Sequence, residues 1–172
     1  MGSTLAPTTA QSTHHGPVTT PPTLAWGQAS AAALLSELLG EPVTVRHHCP
    51  ACGSSAHGRP WTRLADGSQP DISSAHAGGL TLVGVTWTGR IGVDLEPATH
   101  TPPPGIADLA QWVRAEAYLK ATGDGLRRDP ATVNPDEPGA VWGTITIDPD
   151  HVATWCLVSL GMLAVPAGPA TL

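Results

Sequence analysis

Positive charge is scarce in this sequence: eight Lys and Arg stand against fourteen Asp and Glu, the formal net charge is −6, and no Lys or Arg precedes Arg46. Such a chain lacks the basic surface that nucleic acids or anionic lipids attract, so neither is an expected partner. No apolar run reaches the roughly 18 residues of a membrane span, and the N-terminus has neither the basic nor the apolar segment of a secretory signal. Three cysteines, Cys49, Cys52 and Cys156, are too few for a disulfide framework, and their odd number fits a reducing compartment. A cytoplasmic protein is expected. Phenylalanine is absent, leaving six Trp and one Tyr as the aromatic complement.

Turn formers are plentiful instead. With 19 Gly and 18 Pro in 172 residues, long helical bundles are excluded, and the length suits one domain or two small halves sharing a core. Residues 1–23 are rich in Ser, Thr, Pro and Gly and carry no formal charge, so they read as a disordered leader. From Leu24 to Leu39, Trp26, Ala29, Ala33, Leu34 and Leu38 recur at helical spacing before Gly40, which predicts one amphipathic helix. Val43–Val45 reads as a short strand leading into HHCPACGSSAHGRP, a loop dense in metal-ligating side chains.

Leu80–Trp87 and Ile91–Leu95 are β-rich runs separated by Thr88-Gly89-Arg90, which predicts a hairpin. Ile106–Ala121 has helical spacing with Gly123 beyond it, and Val141–Ile147 and Val152–Leu160 read as two strands across an Asp-Pro-Asp turn. The order helix, hairpin, helix, hairpin predicts an α+β fold of two similar halves, 24–90 and 91–172.

Two constellations carry chemistry. In Gly92-Val93-Asp94-Leu95-Glu96, strand alternation sends Asp94 and Glu96 to one face with Val93 and Leu95 behind them. Paired carboxylates repel unless a cation joins them, and an all-oxygen pair suits a hard ion such as Mg²⁺; a strand end running into a polar loop gives the same pattern. On the following helix Trp112, Glu116 and Lys120 fall at i, i+4 and i+8, so an aromatic anchor, a carboxylate and the sole lysine of the chain share a stripe. An ordinary Glu–Lys surface pair has this spacing too, but a chain with one lysine has not scattered them for solubility.

Four segments in order, HGRP at 57–60, SSAHAGG at 73–79, GVDLE at 92–96 and WVRAEAYLKATGDGL at 112–126, resemble the 4′-phosphopantetheinyl transferases of the Sfp type. The resemblance spans roughly Leu24 to Leu160. It implies two pseudo-symmetric halves, each a small antiparallel sheet with a packed helix, with coenzyme A held between them. It also implies transfer of the phosphopantetheine arm of coenzyme A to a serine of an acyl or peptidyl carrier protein, in fatty acid, polyketide or nonribosomal peptide synthesis, releasing adenosine 3′,5′-bisphosphate.

By the same resemblance Asp94, Glu96 and Glu116 would hold Mg²⁺, with Mn²⁺ as the alternative ion. Glu116 would also be the base for the serine hydroxyl, and Lys120 would neutralise phosphate oxygens. His76 would contact a coenzyme A phosphate, and Arg59 and Pro60, in the HGRP turn, would lie near the adenine and 3′-phosphate. The first helix lacks the Arg that commonly serves the nucleotide's 3′-phosphate in that family, so either Arg46, Arg59 and Arg63 do that work or coenzyme A binding is weakened. A monomer is expected, since the halves pair within one chain. The sequence departs from the family at Ala75, commonly Ser, and at Ala115, often Lys. Two other readings compete: a noncatalytic module that binds coenzyme A or carrier protein, and a zinc-clipped interaction module built on Cys49, Cys52 and His57 with His47 or His48.

Overall fold

The computed structural model describes residues 20–134 and 138–159. Most of the expected leader, residues 1–19, lies outside them, as do residues 160–172 at the end of the C-terminal half. Thr23, read as the leader's last residue, instead opens strand β1, Thr23–Gly27.

The helix expected over 24–39 divides into β1 and helix α1, Ala31–Leu39. In β1, Leu24 and Ala25 are buried in different apolar clusters, the alternation of a strand. Helix α1 starts where the Ser30 hydroxyl accepts the Ala33 N–H at 3.2 Å, and ends at Gly40, left-handed at φ 75°. Val43–Val45 is not a strand. Val43 and Val45 pack against the α1 cluster, and the Val43 N–H donates to Ser36 Oγ at 3.0 Å, so pairing begins only at β2, Arg46–His48. Strand β2 pairs antiparallel with β3, Arg59–Trp61.

Strands β4, Asp71–Ala77, and β5, Leu80–Thr86, form a hairpin through Gly78 and Gly79, both at positive φ. Strand β5 lies between β1 and β4. Strand β6, Arg90–Pro97, does not join this sheet, so the hairpin expected between 80–87 and 91–95 does not form. Gly89, at φ 86°, turns the chain out of β5 where any Cβ would strike the Val158 carbonyl. The β6 side chains Ile91, Val93 and Leu95 then pack face to face on Leu24, Ala75 and Leu82. Gly84 makes room, because a Cβ there would collide with Ile91 and Val93.

Helix α2 spans Leu109–Thr122, starting later than the predicted Ile106, because Asp108 caps it by accepting the Gln111 N–H at 2.8 Å. Gly123, at φ 81°, ends it as expected. Two short 3₁₀ turns, Gly125–Arg127 and Pro130–Thr132, lead to β7, Ala140–Ile145, and β8, His151–Val158. The second sheet has the order β6-β8-β7.

The fold is α+β, with small antiparallel sheets and two helices. Each three-stranded sheet is built from a strand, a helix and a hairpin whose last strand takes the central place: β5 in one, β8 in the other. Their faces meet in a core of Leu82, Ile91, Val93, Leu95, Trp155 and Leu157, all at most 3% exposed. Burying each such side chain contributes about 1.5–3 kcal/mol. None of the helices among the described residues is long and apolar enough to cross a membrane.

Candidate active site at the β6–α2 seam

Residues 91–95 of β6 are buried because the strand is covered on both faces. Odd positions meet the first sheet, and even positions meet α2. Contact is close enough that a Cβ on Gly92 would run into the Ala117 carbonyl. Two residues further along, the same face carries Asp94, and two further still Glu96.

Helix α2 runs so that its stripe matches these carboxylates. Lys120 Nζ lies 2.6 Å from Asp94 Oδ1 and also donates to the Val93 carbonyl at 3.2 Å. Two turns earlier, Trp112 Nε1 donates to Glu96 Oε1 at 3.2 Å. Glu116 lies between these anchors on the helix, half-buried, and no hydrogen bond or ion pair ties it among the described residues. The other Glu96 oxygen is 3.3 Å from His100 Nδ1, and the His100 ring is stacked parallel to Trp112. Strand alternation and the i, i+4, i+8 stripe thus bring Asp94, Glu96, Glu116 and Lys120 into one cluster.

Its electrostatics are strained toward neutrality. Burial pushes the Asp94 carboxyl above its ordinary pKa, with Glu96 adding to the rise and Lys120 opposing it. Glu116 is raised as well, first by burial, then by the charges of Asp94 and Glu96, again against Lys120. Asp94 is 4% exposed, and its Oδ2 is buried without a hydrogen-bond partner. Three carboxylates served by one ammonium, with a buried acceptor left over, offer the oxygen donors that hard divalent cations take. Lys120 takes a cation's place on the other Asp94 oxygen. The three carboxylates do not converge on a point, however. Among the described residues, the group whose ligand atoms all lie within 4.8 Å is Cys49, Cys52 and His57.

The remaining expected site residues lie elsewhere. Arg59 is committed to protein partners: Nη2 lies 2.5 Å from Asp71 Oδ2 and 3.2 Å from the Ile91 carbonyl, while Nη1 donates to the carbonyls of Lys120 and Ala121. It clamps β3, β4, β6 and the end of α2 together, and its guanidinium is not free for a phosphate. Arg46 is exposed on β2 with its guanidinium 5.4 Å from the Trp61 ring centroid. Pro60, on β3, lines a cleft of about 520 Å³ together with Arg59, Trp61, Trp87 and Arg90. None of the carboxylates Asp94, Glu96 and Glu116, nor Lys120, lines that cleft; Arg59 is the link, touching the Lys120 backbone from its wall. His76 is exposed on β4 and belongs to neither group.

Sequence reasoning singled out Trp112 as an anchor but not as the donor that orients Glu96. It missed His100, Asp71 and Arg90, for which no local pattern exists. Trp87, 61% exposed at the cleft, is not core. Ala75 and Ala115 are both buried, the first in the inter-sheet core and the second against Leu119 and Val133, so each serves packing here. No family model matches the chain, and no curated protein matches it.

Proposed function

We propose that this protein is a divalent-ion-dependent 4′-phosphopantetheinyl transferase acting on an acyl or peptidyl carrier protein. The observation that carries the reading is the placement of Asp94, Glu96, Glu116 and Lys120 along one seam, with a buried Asp94 oxygen that has no partner. On this reading the two sheets of like connectivity are the pseudo-symmetric halves of the Sfp type.

Coenzyme A is the co-substrate, and its nucleotide end is assigned to the cleft lined by Pro60, Trp61 and Trp87, beside Arg46; His76 lies outside that cleft. Arg59 acts there as a wall, holding the cleft to α2. Asp94, Glu96 and Glu116 would hold Mg²⁺, or Mn²⁺ in its place, which when bound offsets pyrophosphate charge. Glu116 accepts the proton of the carrier serine hydroxyl, a role suited to a carboxyl pushed upward by burial. The serine oxygen forms a bond to the phosphorus of the pantetheine arm, and the bond from that phosphorus to the nucleotide's oxygen breaks. Lys120 supplies positive charge beside the oxygens that gain negative charge, which favours the transition state over the ground state.

Intact-mass spectrometry of apo carrier proteins incubated with coenzyme A, Mg²⁺ and the full chain tests this. The expected result is a gain of about 340 Da, the arm carried in a covalent transfer, lost with Glu116→Ala. The commitment of Lys120 to Asp94 and of Arg59 to Asp71 favours a second reading, a module that binds coenzyme A or carrier protein without turnover. Coenzyme A binding with no mass gain on any carrier would select it and overturn the transferase.

A further inference from the structure

The loop between β2 and β3 gives no side chain to the carboxylate seam, though its Pro50 lines the cleft, and it gathers soft ligands. Cys49 and Cys52 are free thiols, and Cys52 Sγ lies 3.4 Å from His57 Nε2. One ligand atom from each of Cys49, Cys52 and His57 lies within 4.8 Å of the other two.

The backbone is arranged for this convergence. The Gly53 N–H donates to the Cys49 carbonyl at 2.7 Å, and the Cys49 N–H to the Ser54 carbonyl at 2.9 Å, which folds Cys-Pro-Ala-Cys-Gly into a tight turn. Gly53 takes φ 71°, a left-handed conformation that suits glycine. Gly58, at φ 104°, brings the other end of the loop so close that any Cβ would strike the His48 carbonyl. That crossing carries His57 back over the turn.

We propose that Cys49, Cys52 and His57 bind one zinc ion, with the fourth position open to solvent. Two thiolates and one neutral imidazole cancel the charge of Zn²⁺, and sulfur with imidazole is a donor set that zinc prefers over the hard ions suited to the β6–α2 carboxylates. Cys52 and His57 are exposed, so the ion has an entry path and room for a water. His47 and His48, on β2, are outside the set. The ion fixes the loop immediately before β3, and β3 carries Arg59 and one wall of the cleft. Zinc here is a clip on the first sheet's flank, independent of whether the seam transfers a phosphopantetheine arm.

The test uses the full chain without an affinity tag, reduced, with Zn²⁺ in competition with a chromophoric chelator and Co²⁺ as the spectroscopic probe. One equivalent of zinc is expected per chain, with a thiolate-to-cobalt charge-transfer band. Both are lost in Cys49→Ser/Cys52→Ser, zinc is weakened about tenfold or more in His57→Ala, and binding is unchanged in His47→Ala. Should the double variant not fold, alkylation of the native chain reads the same site: zinc protects Cys49 and Cys52 while EDTA exposes them. Substoichiometric zinc, no charge-transfer band, or alkylation indifferent to zinc overturns the proposal.

Discussion

Asp94 and Glu116 are carboxyls that the fold would rather keep protonated. Their raised native pKa values mean that, from the ordinary carboxylate range near pH ~4 up to those values, the folded protein holds more protons than the unfolded chain. Stability from these groups is therefore present at low pH and lost as pH rises through that window. Asp66 and Asp148, lowered by Ser68 and by His151, have the opposite dependence, but theirs lies below it. Without divalent ions, Glu116→Gln is thus expected to raise the thermal midpoint more at about pH 7.5 than at about pH 4, in the ordinary carboxylate range, since it removes a charge and keeps the shape. An equal shift at both values would show that Glu116 carries no such strain. Added Mg²⁺ should stabilise the wild type more than this variant. These residues were legible because two periodicities, two for a strand and 3.6 for a helix, each put charges on one face. The partners of Glu96 were only half legible. Trp112 lay on the stripe, while His100 reaches the same carboxylate from a loop without periodicity.

At the scale of elements, the seam depends on one missing methyl group. Gly92 lets α2 lie against β6, and Gly92→Ala is expected to cost about 3 kcal/mol or more, because the colliding atoms are helix backbone, which cannot rotate away. Urea denaturation measures that cost. A folded variant should lose most of its activity as Glu116 and Lys120 are pushed off Asp94, and a neutral result would mean that helix and strand are not seated so closely. Element prediction succeeded where the chain punctuates itself. Gly123 ends α2, and the Asp148–Asp150 turn joins β7 to β8. It failed where adjacent segments share an apolar pattern. Leu24–Leu39 holds a strand and a helix whose apolar positions fall at helical spacing by coincidence. Strands β5 and β6 look like a hairpin because both are apolar and a glycine separates them. Only the pairing of β6 with a strand from the far end of the chain tells otherwise. Strand β4 escaped notice because its outward residues and Ser73 are polar; Ser73 is buried and accepts the Val93 N–H across the sheets at 3.1 Å.

At the scale of the molecule, the two sheets are joined by apolar packing and by the Arg59 clamp. Asp71 also accepts the Ile91 N–H at 2.7 Å, so the Arg59–Asp71 pair binds the first strand of the second sheet from both sides. Each side chain is 20% exposed. Arg59→Gln is accordingly expected to cost about 2–3 kcal/mol, below the ~3–5 of a fully buried pair that loses a partner. Faster amide exchange should appear at the end of α2 and in β6, and exchange confined to β3 would show that the clamp is local. Nothing in the sequence pointed to this role, because the four elements that Arg59 touches are scattered along the chain. The repeated connectivity also fixes an order of assembly. In each sheet the middle strand is the last to be synthesised, so β6 and β7 share no partner until His151–Val158 has left the ribosome. During translation the first sheet can close alone and offer its face to β6, while the second sheet cannot pair until β8 is made. Until then β6 presents unpaired backbone edges, the feature that makes incomplete sheets prone to pair wrongly.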